Sequence, residues 1–289
     1  MGVNDSIIPL SYSGAQRLLA CPRKQKYRQL KVDEDWDYIK PPYFEAGTVL
    51  HQLIEEHTHG LDDFVSGMCE ALSEAPPSYW HLWQSLAMFC VYKKSDYNPR
   101  FSSKVSQTFC EVPIRTYKPD YYGIVDMVIV YETGKWFIRD FKTASGMRWG
   151  SREIELEERS NQQLAVYGTR YEAVSEKLGL EPQDFLGVEY VGFKKPNKPY
   201  KIETSFFQYF NRVEKDIEIK VVFVKKEDLK SEAADLLIDF AAYLDRKIQG
   251  LDVNDVPCNF KACFNYGQCC EYFSKCHGEV ATKFFTAKR

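Results

Sequence analysis

Two aspartates and a lysine set the first chemical question. Asp126 lies in the run GIVDMVIV (123–130), and Asp140 and Lys142 lie in IRDFKT (138–143). Both runs are rich in β-branched and aromatic residues, as strands are. Glu132, Thr133 and Gly134 stand between Tyr131 and Lys135, and a three-residue hairpin loop commonly places glycine third, where the chain turns left-handed. If Tyr131 faces Lys135, paired residue numbers sum to 266, which sets Asp126 opposite Asp140. Opposed residues share a face with Cβ atoms about 5 Å apart, and Lys142 projects from that same face. Val128, Val130, Trp136 and Ile138 accompany them, whereas Val125, Met127, Ile129, Phe137 and Phe141 point the other way. Both faces are thus apolar, as in a buried central hairpin. Two carboxylates and an ammonium are costly there unless a cation or a salt bridge compensates them. The chemistry that fits is a divalent-metal site in which Lys142 positions a water or stabilises charge developing on a phosphate. A plain ion-pair network at a strand end is the alternative.

Further candidates lie on predicted helices. Residues 45–58 read as a helix with Ala46, Val49, Leu50, Leu53, Ile54 and His57 on one stripe. His51 precedes Glu55 by one turn, so both can face one direction. A helix over about 160–178, ended by Gly179, gives Gln163 and Tyr167 the same relation, an amide and a phenol for a phosphate or for Lys142. Six of the nine cysteines are not scattered: Cys21 stands before Pro22, and Cys258, Cys263, Cys269, Cys270 and Cys276 fall within nineteen residues. Four thiolates can hold zinc or an iron–sulfur cluster. Cys69, Cys90 and Cys110 read as small core residues.

The elements that must position these groups alternate in kind. Ser13 is the expected N-cap of a short helix running into CPRK, and residues 79–94 form another helix after Pro76–Pro77. Strands are expected at 107–115, 122–131, 135–143, 185–193 and 217–224. A final helix at 231–249, capped by Ser231, has Leu237, Phe240, Ala241, Leu244 and Ile248 as its apolar stripe. Helices on both sides of a strand cluster mean a mixed sheet packed by helices. The 289 residues suit one large or two small domains, and a hydrophobic share of 44% excludes a disordered chain. No apolar run approaches the roughly 18 residues of a membrane span, and no secretory signal is visible. There is no phosphate loop of the Gly-x-x-x-x-Gly-Lys-Ser/Thr type, hence no recognisable ATP motor.

Taken in order, LSYSGAQRLLACPRK (10–24), GTVLHQLIEE (47–56), GIVDMVIV (123–130), IRDFKT (138–143), QLAVY (163–167) and the terminal cysteines resemble the PD-(D/E)XK nuclease superfamily in its RecB-like branch. The resemblance implies an α/β, restriction-endonuclease-like mixed central sheet flanked by helices. It implies that His51, Asp126, Asp140 and the Phe141 carbonyl ligate Mg²⁺ or Mn²⁺, that Lys142 is the catalytic lysine, and that Gln163 and Tyr167 form the branch's Gln-x-x-x-Tyr motif. Glu55 and Glu111 are outer candidates. Members with a distant first cysteine bind a 4Fe–4S cluster; they include the CRISPR-associated spacer-acquisition nuclease, AddB nuclease domains and phage exonucleases. Here Cys21, Cys263, Cys270 and Cys276 would be the ligands, with Cys269 competing with Cys270, Cys258 a spare, and zinc as the alternative metal.

The implied activity is phosphodiester hydrolysis by an exonuclease on single-stranded DNA or DNA ends, in phage or bacterial recombination, replication or repair. The setting would be the bacterial cytoplasm or a phage-infected cell, with a helicase, recombinase or integrase as partner. A DNA-binding or accessory subunit with a structural metal site is the competing function. Tyr266, Tyr272 and Phe273 could stack bases, or simply pack around the cluster. The organisation expected is one nuclease domain over 1–289, with a core at 32–257 and a cluster module from 1–31 plus 258–289. The formal charge of −3 divides on that scheme: the module carries a net +8 and the remainder −11, so a near-neutral total does not argue against DNA.

Overall fold

The computed structural model describes residues 10–30, 42–117, 120–145, 163, 165–196, 203–230, 232–259, 261–263 and 270–277. In chain order these form α1 (Tyr12–Ala20), α2 (Pro22–Gln29), α3 (Pro42–Thr58), α4 (Asp62–Ser73) and α5 (Trp80–Lys93). Strands β1 (Val105–Tyr117), β2 (Asp120–Tyr131) and β3 (Trp136–Ser145) follow, then α6 (Tyr171–Leu178), β4 (Phe185–Lys195), α7 (Phe206–Val213), β5 (Ile219–Lys225), α8 (Glu232–Gln249) and α9 (Phe273–His277). Two compact units result: residues 1–40, 115–123 and 232–289 make the first, and 41–114 with 124–231 the second.

In the second unit, the five strands run in the order β1-β2-β3-β4-β5. β2 pairs β3 antiparallel, β3 pairs β4 parallel, and β4 pairs β5 antiparallel, so the sheet is mixed as expected. The hairpin register is the one read from the loop: Met127 pairs Arg139 and Val130 pairs Trp136. Tyr131 N–H donates to the Lys135 carbonyl at 2.8 Å, and Gly134 sits at φ +81°. One sheet face, with Met127, Ile129, Phe137, Phe141, Val191 and Phe193, packs with α3 and α5 through Leu50, Leu53, Ile54, Trp83 and Phe89. Trp136, Ile138, Val128 and Val188 are buried on the other. Gly187 lies in β4 at φ +148°, where an added Cβ would meet the Val224 carbonyl oxygen at 2.2 Å. Gly187→Ala therefore lowers stability by about 2–4 kcal/mol, through strain and steric conflict between β4 and β5. A shifted urea-unfolding midpoint measures it.

In the first unit, Leu10, Ala15 and Leu18 pack against Ala241, Ile248 and Val256. Here several expectations need correction. Ser11, not Ser13, caps α1: its Oγ accepts the Gly14 N–H at 3.0 Å, while Ser13 falls inside the helix. Phe240 does not belong to the apolar stripe of α8 and is 55% exposed. The buried face is instead Ala234, Ile238, Ala241, Asp245 and Ile248. Asp245 enters it because its carboxylate accepts from Gln29 Nε2 at 2.7 Å. The proposed cap Ser231 lies outside the described residues. In the second unit, the helix expected over 160–178 is interrupted at Arg170 (φ −103°, ψ 20°), which precedes α6. Residues 160–162 and 164 also lie outside the described residues.

Candidate active site

Each functional side chain is set by apolar packing around it. Leu50, Leu53 and Ile54 bury the inner stripe of α3, and His51, next round the helix from Leu50, is left at the rim. Glu111 comes from β1 with φ +49°, the one positive value among described non-glycine residues. Such backbone strain persists only where the surroundings enforce it, and it clusters at functional sites. Helical residues 165–169 reach the sheet because Gly168 has no side chain: a Cβ there would meet Leu229 Cδ1 at 2.4 Å and Val188 Cγ2 at 2.9 Å.

The side chains fall into three linked sets. His51, Glu111 and Asp126 offer ligand atoms that all lie within 4.8 Å of one another. His51 Nδ1 stands 3.8 Å from Asp126 Oδ2, and the His51 ring meets the Phe141 ring edge-on at 6.0 Å. Asp126 Oδ2 also accepts the Phe141 N–H at 2.8 Å, which fixes the carboxylate at the point where the β2–β3 ladder ends. Second, Lys142 Nζ donates to Asp140 Oδ1 at 2.8 Å, and Asp140 is 1% exposed. Third, Gln163 Nε2 donates to the Tyr167 hydroxyl at 3.1 Å. Asp140 is engaged by Lys142 and stands outside the compact three-residue group. Glu111, an outer candidate in the sequence, stands inside it.

The electrostatics follow from burial and crowding. Burial lowers the His51 pKa, with Asp126 opposing and Lys142 reinforcing, so the imidazole is neutral and free to ligate at neutral pH. Asp140 is raised by burial, with Lys142 pulling it down and Asp126 pushing it up. Burial alone would lower the Lys142 pKa, but Asp140 and Asp126 outweigh it and hold the ammonium above its ordinary value. The Tyr167 phenol is raised by burial and by the nearby aspartates, so it acts as a neutral hydroxyl. Partial loss of water, with Asp126 and Glu55 adding like charge, pushes Glu111 up to about 7.

That last shift has a measurable sign. A carboxyl whose folded pKa exceeds its unfolded value destabilises the fold as pH rises from about 4.5 to about 7. Without divalent metal, Glu111→Gln should remove this loss. Melting temperatures of the two proteins in EDTA should agree near pH 4.5 and diverge in favour of Glu111→Gln by pH 7.5.

Tyr190 was not foreseen. It pairs with Asp140 across β3 and β4 and is 7% exposed. Nothing in its strand sequence distinguishes it from a packing aromatic; only the parallel register reveals it.

The donor set of His51, Glu111 and Asp126 fits a hard divalent cation, one imidazole and two carboxylates at mutual spacings one ion can span. In the first unit, Cys21 is buried at the α1–α2 junction. Arg23 N–H donates to the Pro257 carbonyl and Asn259 Nδ2 to the Ala20 carbonyl, which lays Cys258 alongside Cys21. Cys270 N–H donates to the Cys263 carbonyl at 2.7 Å, and Cys263 Sγ lies 3.5 Å from His277 Nε2. Cys21, Cys258, Cys263, Cys270 and Cys276 are in no disulfide among the described residues, and Cys269 lies outside those residues. Tyr272 and Phe273 are 3% and 1% exposed, and Tyr272 stacks on Tyr27 at 5.2 Å. Both rings pack inside the first unit, where burial leaves neither open to a base. Tyr266 lies outside the described residues.

A lysine–carboxylate pair thus stands beside a carboxylate–imidazole group on a mixed sheet. A family model described as the PD-(D/E)XK nuclease superfamily matches residues 9–277, and the chain belongs to that superfamily. Among solved structures it is similar to a Eubacterium rectale protein with a provisional assignment as an exonuclease. The TM-score is 0.52 at 14% identity, covering 94% of this chain and 88% of that one, a likeness of fold. No curated protein matches the sequence significantly.

Proposed function

We propose that this chain is a metal-dependent deoxyribonuclease, an exonuclease on single-stranded DNA or DNA ends serving phage or bacterial recombination, replication or repair. The observation that carries the reading is the Lys142–Asp140 pair beside His51, Glu111 and Asp126, in a chain of this superfamily. His51, Asp126 and Glu111 would hold Mg²⁺ or Mn²⁺, with Asp140 and the Phe141 carbonyl adjoining. Such an ion polarises a phosphate and makes bound water more acidic. Lys142 keeps a proton and presents an ammonium that can orient a water or stabilise charge on a phosphate oxygen. Asp140 holds that ammonium in place. Gln163 and Tyr167 offer neutral donors on the same sheet face.

The thiols of Cys21, Cys263, Cys270 and Cys276 would hold a 4Fe–4S cluster, an electron-carrying or structural group. A ligand set of thiolates alone is the chemistry such a cluster takes, and zinc on the same thiolates is the alternative. Exonuclease action is tested with linear and covalently closed circular single-stranded DNA of the same sequence. An exonuclease degrades only the linear form, and equal cleavage of the circle would make the enzyme an endonuclease.

A further inference from the structure

Helix α8 has an outer face that its role in the first unit does not explain. Its inner face packs with α1 through Ala241 and Ile248. On the opposite side Leu236, Phe240 and Tyr243 are 70%, 55% and 49% exposed. They are spaced i, i+4, i+7, so they form one continuous stripe. Large apolar side chains scattered singly need no explanation, but three in a helical row do. The charges around the stripe are segregated: Glu232 and Asp239 are exposed towards the N-terminal half, Arg246 and Lys247 at the C-terminal end. Lys247 Nζ lies 5.5 Å from the Tyr243 ring centroid, so the basic end is continuous with the apolar stripe.

We infer that α8 pairs antiparallel with α8 of a second copy of this chain, about a two-fold axis between Asp239 and Phe240. Pairs whose numbers sum to 479 then face each other: Leu236 meets Tyr243, and Glu232 meets Lys247, each pair occurring twice. An isologous contact of this kind needs a self-complementary surface, which the segregated charges supply. The two helix dipoles also run antiparallel, each N-terminus beside the other helix's C-terminus. A nucleic acid fits the face poorly, because Glu232 and Asp239 would repel its phosphates. With three large apolar side chains per copy, the interface is smaller than that of an obligate dimer, so association is weak and concentration-dependent.

Sedimentation velocity of the full-length protein from about 1 to 200 μM tests this, in a range suited to small interfaces. The wild type should shift from monomer to dimer, and Phe240→Glu should remain monomeric with an unchanged melting temperature, since the residue is exposed. Glu232→Lys and Lys247→Glu should each associate about tenfold more weakly, whereas an equimolar mixture of the two should form a heterodimer. A wild type monomeric throughout, a dimer indifferent to Phe240→Glu, or a mixture that fails to associate would overturn the inference. So would a monomer whose affinity for single-stranded oligonucleotide falls on Phe240→Ala, which would give the face to nucleic acid.

Discussion

Lys142→Ala should reduce DNA cleavage by about 10²–10³-fold while the protein remains folded, an effect of the size seen when a preorganised donor is removed from a reacting centre. The lysine's ammonium is the cation paired with Asp140, and the Asp140 and Asp126 carboxylates keep it protonated. Alanine removes the group that would orient water or meet the phosphate charge and leaves Asp140 without its partner. At 1% exposure that carboxyl then stays protonated instead of carrying an unpaired buried charge. The stability cost falls below the ~3–5 kcal/mol of a fully buried pair, because the Lys142 side chain is 36% exposed and water screens part of the interaction. Asp140→Ala should lose activity to a similar degree, through a lysine no longer held in place. Lys142→Arg should not restore it, since a planar guanidinium cannot reproduce a point charge at one oxygen. Initial rates of nucleotide release, read beside circular dichroism and DNA affinity in EDTA, separate chemistry from folding and binding. A Lys142→Ala protein as fast as the wild type would remove the lysine from the mechanism.

Cys270→Ser should yield a colourless protein with a less stable first unit, whereas anaerobically purified wild type should be brown with about four irons per chain. Burial pushes the Cys270 thiol up to about 12, so without metal it stays protonated and contributes only packing. Loading a metal must displace that proton, which ties retention of the group to this residue. The surrounding clasp is independent of it. The Glu271 carboxylate, 3% exposed, pairs with Lys24 at 2.7 Å and with Arg28 at 2.7 Å, and Lys26 Nζ donates to the Gln249 carbonyl. The substituted protein should therefore remain folded but melt lower. Cys258→Ser should keep its iron, because Cys258 is exposed and stands outside the proposed ligand set. Iron and zinc analysis of the three proteins decides the matter. Stoichiometric zinc in the wild type would replace the cluster, and iron lost from Cys258→Ser would place that thiol among the ligands.

Much of the candidate site was legible in the sequence because it depends on local rules. One glycine-terminated three-residue loop set the β2–β3 register, and alternation then put Asp126, Asp140 and Lys142 on one face. The Gln163–Tyr167 contact followed from a single helical turn. Glu111 was harder. Its participation depends on how β1 lies beside β2 and on a positive-φ kink that no neighbouring glycine advertises. Tyr190 required the parallel β3–β4 pairing, a contact between residues fifty apart. The outward turn of Phe240 escaped for a related reason: an 18-residue helix with apolar residues around much of its circumference does not say which side α1 covers. Side-chain periodicity gives faces, and tertiary packing chooses among them.

The proposed activity is metal-dependent phosphodiester hydrolysis at the His51–Glu111–Asp126 and Asp140–Lys142 centre. Incubating end-labelled single-stranded and duplex DNA with the purified protein in Mg²⁺, Mn²⁺ or EDTA tests it most directly. Shortened products are expected in Mg²⁺ or Mn²⁺, none in EDTA, and none from Asp126→Ala in any condition. DNA that is bound but remains full-length with every metal, or cleavage that persists undiminished in EDTA or in Asp126→Ala, would contradict it.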